Sequence, residues 1–280
     1  MTPRRPGPVT PVRMTALRSD GRSVELPDSL VTEEPLELRV TTPSQPSQVV
    51  TVTMRTPGHD FELAAGFLLS EGVAAAAADI ESIKYCELPD DVEQGFNVVT
   101  VRLTRDVDLT AHQRRTTTTA SCGVCGTASL DQLERRCPPV PPGAVIDRAV
   151  LVGLPDALRR AQPVFERTGG LHAAGLFHLN GHAATVREDV GRHNAVDKLL
   201  GASLLAGELP LADRVLALSG RVSFELVQKA AVGGIGIVVA VSAPSSLAVE
   251  TAHRLGVTLA AFTRGGGTNL YTHPARVVDR

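Results

Sequence analysis

From residue 214 onward, short apolar runs alternate with helical segments, and few folds accommodate that rhythm. Arg214 to Leu218, Ile235 to Val241 and Val257 to Phe262 each read as a buried strand. Ser223 to Val232 and Ser246 to Leu255, between them, read as helices. Strands and helices in alternation imply βαβ units and a largely parallel sheet covered on both faces. Upstream, the pattern predicts a helix over Leu154 to Arg167, short strands over Ala174 to Leu179 and His182 to Val186, and a helix over Asn194 to Leu205.

The first half has a different grammar. Leu36 to Val40 alternates apolar and polar residues, as a half-buried strand does. A turn from Thr42 to Gln48 links it to a second strand, Val49 to Met54, giving a hairpin. Thr56-Pro57-Gly58-His59-Asp60 opens a helix, with Thr56 as cap and Pro57 at the first helical position. Leu63, Phe67 and Leu68 form its apolar face, and Gly72 ends it. Ile83 to Glu87 and Asn97 to Leu103 complete a small α+β module. The fold class is therefore α/β, or α+β taken overall. Residues 1–18 read as a mobile Pro/Arg-rich tail and 19–112 as an α+β domain. Residues 113–143, with a short helix over Thr127 to Arg136, form a cysteine loop and proline-rich linker, and 144–280 a second α/β domain.

Composition excludes several classes. A chain of 280 residues accommodates about two domains. Lys plus Arg number 28 against 30 acidic residues, so a generic nucleic-acid binder is not expected. Aromatics at 3% and the absence of Trp argue against a stacking platform for single strands. No apolar run approaches the ~20 residues of a bilayer span. The N-terminus lacks a secretory pattern, so the expected location is the cytoplasm.

Three loops fall at the predicted carboxyl edge of the sheet: Ser219-Gly220-Arg221, Ser242-Ala243-Pro244-Ser245-Ser246 and Thr263-Arg264-Gly265-Gly266-Gly267. Ligands of such sheets bind at that edge. The loops could be ordinary turns, but small residues beside arginine suit phosphate, and three such loops on one edge favour an anionic, nucleotide-like ligand. Ser219, Arg221, Ser245 and Arg264 are the candidate phosphate contacts. In the segment from Arg187 to Lys198, Asp189, Arg192 and His193 are candidates for ligand contact or thiol tuning, and Asn194 for a helix cap. The same residues equally describe a capped helix start with a solvated face. His59 reads as structural or capping.

The four cysteines are Cys86, Cys122, Cys125 and Cys137. Cys122 and Cys125 form a C-x-x-C pair flanked by glycines. That pair admits zinc binding, with Cys86 and Cys137 completing four thiolates, but the second pair is badly spaced. It also admits dithiol redox chemistry and carriage of sulfane sulfur as a persulfide. The residues alone leave carriage and redox open. Cys86 and Cys137 read as inert.

Several ordered motifs together resemble the FdhD/NarQ family, the formate dehydrogenase accessory sulfurtransferases. They are Thr56-Pro57-Gly58-His59-Asp60, Phe67-Leu68-Leu69-Ser70-Glu71-Gly72, Ser121-Cys122-Gly123-Val124-Cys125-Gly126, Thr168-Gly169-Gly170-Leu171-His172, Glu188 to Lys198, and Ser219-Gly220-Arg221. The resemblance implies a sulfur carrier loaded by a cysteine desulfurase. It implies delivery to a molybdenum or tungsten bis-guanine-dinucleotide cofactor, bound as substrate, before that cofactor enters formate dehydrogenase. Cys122 would carry the persulfide and Cys125 would assist. The cofactor's guanine-dinucleotide part would bind at Phe262-Thr263-Arg264-Gly265-Gly266-Gly267. The resemblance further implies a cytidine-deaminase-like second domain and a homodimer, with no resident metal. Deaminase chemistry itself is not expected: His172-Ala173-Ala174 lacks the acid/base Glu, and Ser121 stands where the motif has proline. The rival readings are a non-catalytic cofactor chaperone and a structural zinc protein.

Overall fold

The computed structural model describes residues 5–86, 95–109, 137 and 139–279. Strands β1 (Val9–Leu17) and β2 (Ser23–Val31) pair as an antiparallel ribbon. Residues 9–17, expected within a mobile tail, are thus a strand. Val12, Met14 and Ala16 share one face with Leu26 and Val24, a cross-strand apolar set that the neighbouring prolines conceal in the sequence. The proline at position 11 is tolerated because a two-stranded ribbon is all edge.

Strands β3 (Glu34–Thr41), β4 (Gln48–Arg55), β5 (Ile80–Tyr85) and β6 (Val98–Leu103) form a sheet in the order β4-β3-β6-β5. The expected hairpin is β3–β4. Leu36, Leu38 and Val40 alternate into a core closed by Leu63, Ala64 and Leu68 of helix α1 (Asp60–Ser70). His59, not Thr56, caps α1, with a left-handed backbone at φ 58°. Thr56 serves instead as a bridge to the second half of the chain.

That half begins with β7 (Ile146–Asp147), α2 (Arg148–Arg160) and α3 (Pro163–Thr168). The single helix expected over 154–167 is therefore two. The Asp147 carboxylate caps α2, and Pro163, which has no N–H to extend that helix, starts α3 at N1. Next come β8 (His172–His178), β9 (Ala183–Asp189), α4 (Arg192–Leu205), β10 (Arg214–Leu218) and α5 (Phe224–Val232). The chain ends with β11 (Ile237–Ala240), α6 (Ser246–Arg254), β12 (Thr258–Arg264), β13 (Gly267–Thr272) and β14 (Val277–Val278).

The six-stranded sheet runs β13-β12-β11-β10-β8-β9. Only β10–β11 and β11–β12 pair in parallel, so the sheet is mixed rather than largely parallel. The apolar runs correctly give the central strands but carry no direction. Strand β13 was not expected. Its polar sequence suits an edge, and Gly265 and Gly266, both at positive φ, make the tight turn that folds it back on β12. The sheet is covered on both faces. Leu151, Leu154 and Leu158 of α2 pack on one, and α4, α5 and α6 on the other.

Helix α1 joins the two halves. Its Ala65 and Leu69 belong to the core of the second sheet. Gly66 of α1 meets Gly201 of α4 at the crossing. A Cβ on Gly66 would overlap the Asp197 carbonyl, and one on Gly201 the Glu62 carbonyl. Beside the crossing, Ser70 Oγ donates to Asp197 Oδ1 (2.8 Å), and Lys229 Nζ donates to both Asp197 oxygens (2.6 and 2.8 Å). Arg187 of β9 grips the Glu62 carboxylate through two hydrogen bonds, of 2.5 and 2.8 Å.

Two predictions follow from this junction. Gly66→Ala or Gly201→Ala should cost about 2 kcal/mol or more, since the helices must separate. Gly153→Ala, in α2 with nothing near its Cβ, should be neutral or gain up to about 1 kcal/mol. Calorimetric unfolding of the three variants checks the contrast. The second concerns acid. Burial would raise the Glu62 carboxyl, but Arg187 and His59 outweigh it and hold the group down at about 2. A lowered carboxyl adds stability that is full above its ordinary value of 4.5 and lost as pH falls toward 2. Glu62→Gln should flatten the stability curve across that window.

Candidate functional site

All three expected loops lie at the same edge of the second sheet, because β10, β11 and β12 are parallel and end there. A cavity of about 550 Å³ opens at that edge. Ser219 follows β10, Val241 follows β11, Thr263 and Arg264 end β12 and Gly265 follows it; all five line the cavity. His172 and Val190 close the β8–β9 side, and helices α2 and α3 form the opposite wall.

Backbone irregularity aims the β12 end. Phe262 adopts φ 53°, and the register with β13 shifts between Ala261 and Arg264. Such a bulge redirects the side chains beside it. Thr263 is turned inward, fully buried, with Oγ1 2.7 Å from Thr268 Oγ1. Arg264 and Gly265 reach the cavity, whereas Phe262, Gly266 and Gly267 do not line it. Gly266 and Gly267 instead serve the hairpin, Gly266 in its turn and Gly267 at the start of β13.

Positive charge converges on the β8 side. Burial depresses the His172 imidazole below its ordinary value, and Arg192, Arg221 and His193 push it down further. The backbone at Gly220 passes so close that a Cβ there would lie 3.0 Å from His172 Nδ1. Ser219 Oγ, which lines the cavity, also accepts a hydrogen bond from Ala173 N (2.8 Å). The Nε of Arg192 is buried with no hydrogen-bond partner among the described residues. Arg192 does not line the cavity.

The structure reassigns several candidates. Asp189 is fully buried and has no surface to offer a ligand. Its Oδ2 pairs with Lys198 Nζ (2.7 Å) and accepts from Thr56 N (3.1 Å), while Oδ1 accepts from Gly191 N (2.8 Å) and Asn194 Nδ2 (3.1 Å). Its role is to tie the β9–α4 turn to the segment after β4. Asn194 lies within α4 rather than at its cap, and it donates to Met54 O (2.8 Å). His193 Nε2 sits 2.8 Å from Glu225 Oε2 and 3.1 Å from Ser223 Oγ, and it does not line the cavity. Ser245 caps α6 by accepting from Ala248 N, so its hydroxyl is engaged. Arg221 is exposed, and it acts on the site through its charge at His172.

Cys122 and Cys125 lie outside the described residues. Cys137 is buried in the apolar core, where burial pushes its thiol up to about 11, as an inert cysteine requires. Sequence reasoning missed the α2–α3 wall, which contributes Asp156, Arg159, Gln162 and Phe165. It also gave no role to His172, although the preceding glycine pair marked the spot.

The fold and site define a mixed α/β protein with a cavity at the carboxyl edge of its sheet, lined by Arg159, Arg264 and His172 among others. Comparison with known proteins is more specific. Residues 31–278 match the FdhD/NarQ family. The chain is 48% identical to the sulfur carrier protein FdhD of Streptomyces avermitilis, over 98% of each chain. It is 50% identical to that of Mycobacterium tuberculosis, over 90% of this chain and 92% of that one. Its fold is similar to the crystal structure of a putative formate dehydrogenase accessory protein from Desulfotalea psychrophila. The TM-score is 0.73 at 25% identity, covering 96% of this chain and 99% of that one. The chain belongs to the FdhD/NarQ family. No helix among the described residues is long and apolar enough to cross a membrane.

The charge cluster gives a direct test. His172 should titrate below the ordinary histidine range in proton NMR. Arg192→Gln should move it upward by removing a neighbouring charge, and so should added inorganic pyrophosphate. A His172 signal indifferent to both would contradict an anion site here.

Proposed function

We propose that this protein is a cytoplasmic sulfur carrier that serves formate dehydrogenase. Cys122 accepts sulfur from a cysteine desulfurase and delivers it to a molybdenum or tungsten bis-guanine-dinucleotide cofactor, the substrate held in the cavity. The observation that carries this reading is near full-length similarity to proteins named sulfur carriers, in a chain that holds Ser121-Cys122-Gly123-Val124-Cys125-Gly126. The cavity at the carboxyl ends of β10, β11 and β12, lined by Ser219, Arg264, Gly265 and His172, supports the cofactor half. A homodimer is the expected assembly.

The chemistry is thiol exchange. The Cys122 thiolate attacks the outer sulfur of the desulfurase persulfide, forming a persulfide on Cys122 and releasing the donor cysteine as thiolate. Cys125 then attacks the inner sulfur of that persulfide. A Cys122–Cys125 disulfide forms, and the outer sulfur, reduced by two electrons, leaves as hydrosulfide toward the metal. A cellular dithiol reduces the disulfide and resets the carrier.

Intact-mass measurement after incubation with a cysteine desulfurase, cysteine and pyridoxal phosphate tests the first step. The wild type should gain one reducible sulfur atom. Cys122→Ala should gain none, and Cys125→Ala should gain the sulfur and retain it. Failure of the wild type to gain sulfur would overturn carriage in favour of a cofactor chaperone without sulfur chemistry.

A further inference from the structure

The segment Pro57-Gly58-His59-Asp60 borders a second cavity, of about 240 Å³, that shares no lining residue with the larger one. The chain has only seven Phe and two Tyr, yet three of these rings converge here. Phe61 comes from the first turn of α1, Tyr85 from the end of β5 and Phe96 from just ahead of β6. The Phe61 and Tyr85 ring centroids are 4.9 Å apart, and those of Tyr85 and Phe96 are 5.3 Å apart, edge to face. Buried Arg55 fixes the group. It donates to both Asp60 oxygens (3.1 Å each) and to the Phe96 carbonyl (3.3 Å), while Asp60 Oδ2 also accepts from the Tyr85 hydroxyl (2.9 Å). Rings held by a satisfied buried network are preorganised for a ligand. The chain's own Arg5 is seated against them. Its guanidinium carbon lies 4.8 Å from the Tyr85 centroid and 5.4 Å from that of Phe96, and Pro6 lines the same space. Arg5 is nonetheless exposed, and it makes no hydrogen bond or ion pair with any described residue. The ring faces hold its head, as aromatic faces hold cations. Charge favours the same occupant: Arg55 answers to two carboxylates, Asp60 and Glu34 (3.3 Å), which leaves an excess of negative charge beside the rings.

We propose that this cavity is a docking site for an extended arginine–proline segment of a partner protein, and that Arg5-Pro6 occupies it in cis until such a segment displaces it. The planar guanidinium stacks on aromatic faces, whereas the compact, strongly hydrated ammonium of lysine gains less there. A proline beside the arginine keeps the segment extended, so little chain entropy is lost when it docks. Pro6 and Pro8 give the chain's own arm that character, and the arm is tied to the body at Pro8, whose carbonyl accepts from Thr32 N (3.0 Å). Ahead of that bond, residues 5–7 make no hydrogen bond with any described residue, so displacing them breaks only the ring contacts. The cavity volume lies beside Arg5, which leaves room for an entering chain before the arm departs. Because Arg5 is tethered, its effective concentration at the rings is on the order of millimolar, and a competitor must exceed that. The site depends neither on Cys122 nor on the larger cavity.

The chain holds two tyrosines, Tyr85 and Tyr271, so NMR of isotope-labelled tyrosine rings in the full chain reads the cage. Acetyl-Arg-Pro amide added to Arg5→Ala should move the Tyr85 signals saturably and leave those of Tyr271 in place. The wild type should need about tenfold more of the peptide for the same shift, because its own Arg5 competes. Acetyl-Lys-Pro amide should bind Arg5→Ala several-fold more weakly than the arginine peptide. Phe96→Leu, added to Arg5→Ala, keeps apolar volume but removes a ring face and should weaken the arginine peptide several-fold; Phe61→Leu makes the same test through a different ring. A Tyr85 signal in Arg5→Ala that ignores the arginine peptide overturns the docking site. Equal binding by the wild type and Arg5→Ala overturns the occupation in cis. Equal affinity for the two peptides, or full affinity in both leucine variants, overturns the aromatic cage.

Discussion

The glycine-to-glycine crossing of α1 and α4 is the contact on which the rest depends. With Gly66 and Gly201 in register, two helix backbones approach more closely than any side chain permits. That approach lets one helix serve two cores: Leu63 and Leu68 of α1 face the first sheet, and Ala65 and Leu69 face the second. The two halves of the chain therefore share a continuous interior rather than meeting at a polar surface. Charges cross the same junction only in satisfied groups. Lys229, Asp197 and Ser70 form one, and Lys198, Asp189 and Thr56 another. Loss of one partner from such a group leaves a buried charge that the interior does not tolerate.

The consequence for the site is geometric. Asp189 fixes the turn from β9 into α4, and α4 begins at Arg192. The buried network thereby sets where the guanidinium with the unmet donor stands. On the other side of the cavity the Phe262 bulge and the glycine hairpin set Arg264 and Gly265. The cavity floor is thus made by strand ends held from below by packing. Its ceiling, α2 and α3, is held on the sheet by Leu151, Leu154 and Leu158. Arg264 lines the strand-end side, and Asp156, Arg159 and Phe165 line the helical wall.

Much of the fold was legible where physics acts locally. Apolar alternation gave β3 and β4, apolar runs gave β10 to β12, and Gly72 gave the end of α1. Strand direction was not legible, because Ala174 to Leu179 has the same apolar character whether it runs parallel or antiparallel to β10. Strand β13 was hidden because an exposed edge needs no apolar code. Ser219, Thr263, Arg264 and Gly265, singled out by their place at strand ends, line the cavity. Asp189 was misread because a charged residue in a dense polar motif looks the same in sequence whether it meets a ligand or a buried lysine. Asp156 and Gln162 were missed because they sit in an ordinary amphipathic helix and its hinge. Only the cavity, which assembles residues far apart in the chain, distinguishes them.

The proposed function makes sulfur carriage on Cys122 and cofactor binding in the cavity one process. A label chase tests it most directly. The protein is loaded with radioactive sulfur by a cysteine desulfurase, the donor is removed, and the bis-guanine-dinucleotide cofactor is added. In the wild type the label should pass to the cofactor. In Arg264→Ala, which retains Cys122 but loses a cation at the cavity, loading should be normal and passage to the cofactor strongly reduced. Equal passage from Arg264→Ala and the wild type would contradict the claim.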